Sequence, residues 1–449
     1  MLLCSLHTEA QRQMADTAVS RPPDPLVSGK KHFWRASAEL AVAQLLPWSF
    51  NRYVRKAAFA KVSFSSIGSN LKPSSWAWDD NKFNTNQFAH PYHGNLYFSA
   101  FRSNGYTFWQ SVPAAFAGSF IWETAGETHR PAPNDFLNTS LGGIALGEVT
   151  YRLANKLIDG RARGTRRQSQ EILALLVNPV NGVNRIINGT WGRAGADADS
   201  SIPLATSLDA GGRRFGTRSL KGYTKGHDEL YFRLRLQYGE KFEASGVPFS
   251  SFTAQVEAGA GDSAYLNTVQ VNGALGTWNM KEGNFRHHLY SITMNYDFFK
   301  NSAFEYGAQS LNLKLISNWR KNSDLKIYTE IGCGAILLGA VPDKYLYYGE
   351  GRNYDYGPGI SMVANAVLKY KNRVELECSY KGGRFQTVDG NKSSFILNTL
   401  TADARIRLPK NFSLAAGLGQ FNLVGYYKDY DNVSERYPFL RFALGYHIE

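Results

Sequence analysis

From about residue 230 to the C-terminus, polar and apolar residues alternate in one short segment after another. In LYFRLRLQY, Leu230, Phe232, Leu234, Leu236 and Tyr238 share one face, and Arg233, Arg235 and Gln237 the other. RHHLYSITMNYDF sets Tyr290, Ile292, Met294, Tyr296 and Phe298 against Ser291, Thr293, Asn295 and Asp297. RVELECSY, ADARIRL and YPFLRFALGYHIE repeat the pattern, the last with Leu440, Phe442, Leu444, Tyr446 and Ile448 opposite Arg441, Ala443, Gly445 and His447. A period of two over so many segments predicts half-buried β-strands. About eleven such segments follow residue 230 and the stretch 203–222 supplies another, so a strand number near twelve, within ten to fourteen, is expected.

One face of these strands is nearly free of charge over the length a tilted strand needs to cross a bilayer, and the opposite face carries charges of both signs. Tyr and Phe recur near the strand ends, the place of an aromatic girdle. The expectation is a mainly β fold, an antiparallel transmembrane β-barrel over residues 196–449. Its lumen would be lined by Arg233, Arg235, Glu257, Glu330, Glu375, Glu377, Asp403, Arg405 and Arg407. Mixed charge on that face predicts an interior tied by ion pairs more than an open pore.

Residues 33–195 read differently. FWRASAELAVAQLLPWSFNRYVRK gives an amphipathic helix with a break at Pro47, with Trp and Arg suited to a membrane interface. The stretch from Lys61 to Gly94 is too irregular for a regular element and is expected to be an ordered loop, with Pro91 and Gly94 marking a turn. Residues 106–128 and 134–159 predict two apolar helices, the second opened by Asn134 as N-cap with Asp135 in its first turn. Ala114 and Gly118 in one, and Gly143 and Gly147 in the other, are spaced for close backbone approach, and the short RPAP link predicts an antiparallel hairpin. Residues 171–189 predict a third helical patch broken at Asn178-Pro179. The helical region is expected to pack on the barrel or inside it. Residues 1–32 read as a disordered or leader-like segment, because MLLCSLHTEA is too short in apolar residues for a secretory signal.

Composition narrows the class. The chain of 449 residues is 14% aromatic with 42 Gly, and no apolar run is long enough for a transmembrane helix. The net charge of +13 is scattered apart from GRARGTRRQSQ at 160–170; no nucleic-acid module accompanies that knot, and a loop facing anionic lipid headgroups explains it. No nucleic-acid partner is expected. Cys4, Cys333 and Cys378 have no metal-type spacing. There is no phosphate-binding loop, GxSxG elbow, HExxH or EF-hand.

The candidate chemistry lies in HPYHG, residues 90–94. An active reading makes His90, His93, Glu123 and Glu127 a catalytic centre, meeting Asp135 as ligands of a divalent metal or as a base with its orienting carboxylate. A structural reading has buried carboxylates find basic partners, in a polar helix network of Arg102, Asp135, Asn138, Glu148 and Arg152. The structural reading is preferred, and neither a metal nor a cofactor is assigned. A Ser-His lipid hydrolase built on His287 or His288 would need a serine paired across strands.

The motifs WAWDDNKFNTNQFAHPYHGNLYFSAFRSNGYTFWQS, GSFIWETAGETHRPAPNDFLNTSLGGIALGEVTYR and LVNPVNGVNRIINGT occur in that order. Over roughly residues 34–195 they resemble the bacterial family called domain of unknown function 3943. The resemblance implies a Gram-negative envelope protein in the outer membrane and no established activity. Together the readings predict an outer-membrane barrel in contact with lipid, a structural or small-solute channel protein. The alternative is a membrane-embedded enzyme acting on lipid or envelope glycolipid through the His/Glu site.

Overall fold

The computed structural model describes residues 24, 26, 27, 30–195, 202–216, 226–260, 265–280, 286–301, 305–320 and 324–448. The leader-like segment, Cys4 included, lies almost wholly outside them. Twelve antiparallel strands form a closed barrel. They are β1 Leu204–Gly216, β2 Gly226–Tyr238, β3 Phe252–Ala260, β4 Leu266–Asn279, β5 Arg286–Lys300, β6 Glu305–Arg320, β7 Leu325–Pro342, β8 Tyr354–Tyr370, β9 Val374–Gln386, β10 Ser393–Arg407, β11 Phe412–Tyr427 and β12 Val433–Ile448. Each pairs with its neighbours in sequence, and β1 seals against β12 from Thr206↔Ile448 to Phe215↔Phe439, so no edge is left open.

The side-chain period of two fixes which face is inside. Register places Arg233 opposite Asp209 and Glu257, and Arg441 opposite Arg213 and Gly417, all turned into the lumen. The other face is apolar and exposed around much of the wall, with Leu230 and Phe232 on β2, Ile360 and Met362 on β8, Leu414 and Leu418 on β11, and Phe442 and Leu444 on β12. Trp278, Tyr290, Tyr370, Phe412 and Tyr446 are exposed toward the end of the barrel where β1 starts and β12 finishes. The connections 371–373 and 408–411 lie at that end, here the terminal end. The opposite end carries the 343–353 loop.

Eight α-helices precede the barrel among the described residues: α1 Phe33–Ser49, α2 Phe64–Asn70, α3 His90–Arg102, α4 Phe108–Ile121, α5 Pro133–Leu137, α6 Gly143–Lys156, α7 Gly164–Val177 and α8 Pro179–Ile187. Three sequence expectations change here. Pro47 does not break α1, which runs on through it and into a π-helical turn at Phe50–Val54. HPYHG is no turn: it opens α3, which runs on directly from a π-helical turn at Thr85–Ala89, with Pro91 where the ladder passes from π to α. Asn134 caps nothing, because Pro133 already opens α5; its side chain accepts from the Asp79 N–H and donates to Tyr356 Oη at 3.2 Å. The break at 178 is found, with Asn178 capping α8 through the Asn181 N–H.

The small residues of the two apolar helices face α3, and not each other. A Cβ on Gly143 would fall 2.6 Å from the Gly94 Cα, one on Gly147 would fall 2.7 Å from the Phe98 ring, and one on Gly118 would run into the ring of Tyr97. The missed helix is thus the one the others are built around. Gly94→Ala places a methyl group inside the Thr139 carbonyl and is expected to destabilise the helical unit by at least about 3 kcal/mol, the upper range of overpacking. Gly68→Ala, in open space on α2, is the control and should be neutral or slightly stabilising. Thermal unfolding of the two variants in detergent checks the contrast.

The helical unit sits outside the barrel, against its outer wall. Near the terminal end Phe108 stacks on Phe249 at 5.6 Å and Arg152 donates to the Pro248 carbonyl at 2.9 Å. Across the wall the unit covers Val269, Val271, Met294, Tyr296 and Phe298, which share one buried cluster with Phe98, Ile144 and Val149. At the loop end Phe83 packs on Phe298 at 5.7 Å, Tyr354 Oη donates to the Asn81 carbonyl at 2.8 Å, and Arg352 donates to the Asp79 carbonyl at 3.1 Å. Part of the face read as lipid-contacting is therefore a protein interface.

Glu39 of α1 accepts from Asn104 and Asn184 through Oε2, while its Oε1 is buried without a partner. Burial pushes its carboxyl up to about 7, against the pull of the two amides and Arg35. The folded state therefore holds a proton that the unfolded chain releases near 4.5, and stability falls as pH rises from about 4.5 to 7. Discounted for partial exposure, the loss is about 1–2 kcal/mol. A pH series of thermal midpoints should show this slope in the native protein and a flatter one in Glu39→Gln.

Candidate functional site

Two places concentrate chemistry. The first is the lumen. Asp209 accepts from Arg233 and Arg405, each at 2.8 Å, and Arg213 bridges Glu229 and Glu257 at 2.6 and 2.8 Å. Arg441 meets Asp403 at 2.7 Å, Arg235 lies 3.5 Å from Glu377, and Glu330 takes Lys314 and Lys241 at 2.7 and 2.8 Å. Glu375 pairs with Lys369 at 3.0 Å, and Arg407 lines the mouth at the terminal end. All nine residues named from the alternation turn inward.

A cavity of about 740 Å³ opens at this mouth between Ser207, Gln237, Lys241, Arg407 and His447. It ends against Phe215, Phe299, Phe421 and Phe439. Beyond them Phe385, Phe395, Leu397, Leu423 and Val341 complete a buried apolar cluster across the lumen toward the loop end. Alternation alone does not reveal this plug. The signal was present: on the inward face of β10, Phe395 and Leu397 precede Thr399, Thr401 and Asp403, so the face changes character along the strand.

The second place is in the helical unit. His90, Glu123 and Asp135 each bring a donor atom within 4.8 Å of the other two. All three owe their position to irregular helix. His90 follows a π-helical turn at Thr85–Ala89, Glu123 lies inside another at Trp122–Gly126, and Asp135 precedes a third at Asn138–Gly142. Such turns re-aim side chains and cluster at functional sites. One atom of each group is tied by the scaffold. Thr139 Oγ1 meets His90 Nδ1 at 3.3 Å, the Ala132 N–H donates to Glu123 Oε2 at 2.8 Å, and Asn134 donates to Asp135 Oδ1 at 2.7 Å. Of the remaining atoms, Asp135 Oδ2 is 3.5 Å from His90 Nε2, and Glu123 Oε1 is buried with no partner.

Burial dominates the proton balance of the cluster. It pushes the His90 imidazole down to about 4, moves the Glu123 carboxyl up to about 8, and holds Asp135 and Glu127 well above the usual carboxylate range, with Asp79 adding to each carboxyl shift. Burial disfavours the charged form on both sides of the close His90–Asp135 contact. Asp79 itself is held by Asn81 and Asn86.

The expected catalytic four are not one group. His93 turns the other way: its Nε2 meets the Ala43 carbonyl at 2.9 Å, it contacts Tyr97 Oη, and it packs edge-on to Trp122 at 4.9 Å. Glu127 is near enough to act electrostatically but brings no atom into the trio. The polar helix network divides as well. Arg102, Glu148 and Arg152 lock together with both guanidinium Nε atoms 2.7 Å from Glu148, whereas Asp135 belongs with His90, and Asn138 is buried with both amide atoms unpartnered. His288 Nδ1 does lie 2.7 Å from Ser317 Oγ, but Ser317 is buried and out of reach of a lipid ester.

The molecule is thus a closed β-barrel carrying a helical unit on its outer wall. The family model of a domain of unknown function (DUF3943) matches residues 75–180, the segment holding both carboxylates and His90. No curated protein sequence matches the chain. Among solved structures it is similar to the NanC porin, with 11% identity over 54% of this chain and 98% of that one at a TM-score of 0.30. It is also similar to the KdgM porin in complex with disordered oligogalacturonate, with 10% identity over 54% and 99% at 0.27. The outer membrane channel DcaP of Acinetobacter baumannii aligns with 10% identity over 56% and 99% at 0.25.

Proposed function

We propose that this chain is an outer-membrane protein of the Gram-negative envelope in which the barrel is a sealed anchor for the helical unit and not a solute channel. The carrying observation is the lumen, where the cavity stops at a wall of phenylalanines and is crossed by paired arginines and carboxylates. The exposed apolar band with its aromatic rim is the surface of a barrel solvated by hydrocarbon. The helical unit suits the same solvent. Its interior holds Arg102, Glu148, Arg152, Glu123 and Asp135, while Val42, Leu45 and Leu46 of α1, Phe50 just after it, and Leu176, Ile186 and Ile187 of α7 and α8 point outward. No helix among the described residues is long and apolar enough to cross a membrane, so the unit lies along the wall at the level of lipid or headgroups.

In this reading the short connections and the start of β1 face the periplasm. Purified protein should float with liposomes, migrate as a heat-modifiable band, and give no steady current in a planar bilayer. Reproducible single-channel steps from the native protein would overturn the sealed-anchor reading. One observation favours a second reading, an enzyme acting at the lipid level: the convergence of His90, Glu123 and Asp135. That reading requires hydrolysis of a phospholipid or glycolipid that His90→Gln abolishes while the heat-modifiable band persists.

A further inference from the structure

We propose that His90, Glu123 and Asp135 form the binding site for one divalent first-row transition-metal ion. The inference goes beyond the anchor reading and stands without it, since it concerns a site outside the lumen.

The donor set is the first argument. One imidazole nitrogen and two carboxylate oxygens, each from a different helical segment, converge within 4.8 Å. Imidazole with carboxylate suits zinc, manganese or ferrous iron, and suits magnesium poorly. The second argument is how the donors are held. Thr139, the Ala132 N–H and Asn134 each fix one atom of a ligand, which is how a metal site sets tautomer and orientation. The third is an unmet demand: Glu123 is buried, and its Oε1 has neither a donor nor a water-facing surface. A buried carboxylate oxygen left bare is costly unless something positive meets it.

Among the described residues little else meets it. Arg352, the cation acting on Asp135, is already spent on Asp389 Oδ2 at 2.5 Å and on the Asp79 carbonyl. Donors on one ion at about 2.0–2.2 Å lie roughly 3–3.5 Å apart, so the trio would draw inward by about 1 Å. The His90 side chain is 14% exposed, so this ligand is the one on the side from which an ion would enter. Asp79 lies close enough to act on both carboxylates electrostatically without joining the site.

The test uses the full chain in detergent, free of any histidine tag, stripped with chelator and titrated with Co²⁺ and Zn²⁺. The expected result is one Co²⁺ per chain with visible d–d bands of a four- or five-coordinate ion, displaced by Zn²⁺ and indifferent to millimolar Mg²⁺. Glu123→Gln and Asp135→Asn should remove the bands. Thr139→Val, which keeps every ligand and the helix volume, should weaken Co²⁺ binding about 10–100-fold. Heat-modifiable migration checks folding of each variant, and the Thr139 variant carries the test if the ligand variants do not fold. No d–d spectrum from the native protein at millimolar Co²⁺, or equal binding by native protein and folded variants, overturns the proposal.

Discussion

Replacing Phe385, Phe395, Phe421 and Phe439 together by alanine is expected to turn a silent barrel into one that passes stepwise ionic current in a planar bilayer. The four rings belong to one buried cluster across the lumen, with Phe421 and Phe439 5.3 Å apart and Phe385 and Phe395 6.1 Å apart. The cavity on their other side already reaches the terminal mouth. Removing the four rings takes out half of the eight buried side chains of the cluster and leaves Phe215 with Val341, Leu397 and Leu423, flanked by Phe299, Tyr306, Tyr427 and Tyr437. A buried Phe→Ala change costs about 3–5 kcal/mol, but the backbone ladder of a closed barrel is untouched by it. Heat-modifiable migration should therefore survive. Current from the native protein equal to that of the variant would show that the plug does not seal.

Glu148→Gln is expected to cost about 3–5 kcal/mol and to release the helical unit from the wall before the barrel unfolds. Glu148 is fully buried between Arg102 and Arg152, which lie at 2.7 Å on either side and share Asp24 as their other carboxylate. Arg102 also lies over the Tyr151 ring at 4.5 Å, and Arg152 reaches the Pro248 carbonyl of the barrel. Loss of the Glu148 charge leaves two guanidiniums without water and with one anion between them, whereas breaking a surface pair costs a fraction of this. Limited proteolysis should cleave the 33–195 region of the variant while the strands remain protected. Equal protease resistance in native protein and variant would rule out the network as the clamp.

The barrel was legible because it depends on a local period. Alternation in β2, β5, β9, β10 and β12 assigns each residue to a face, and closure follows from pairing every strand with its neighbour. The inward residues, Arg233 and Glu257 among them, follow from the same count. Helices with ordinary apolar spacing were also legible. α3 was not, because Pro91, Gly94 and two histidines look like a turn until α4 and α6 are packed on it.

By itself, then, the sequence determined the faces of the strands, their number to within ten to fourteen, the charged lumen and the helical character of residues 33–195, since each is a matter of near neighbours along the chain. Only the tertiary structure decided that the helices lean on the outer wall, that phenylalanines meet across the lumen, and that His90 joins Glu123 and Asp135 while His93 turns to Ala43. These depend on π-helical turns that shift side-chain direction and on contacts between residues tens to hundreds of positions apart. No periodicity along the chain encodes them.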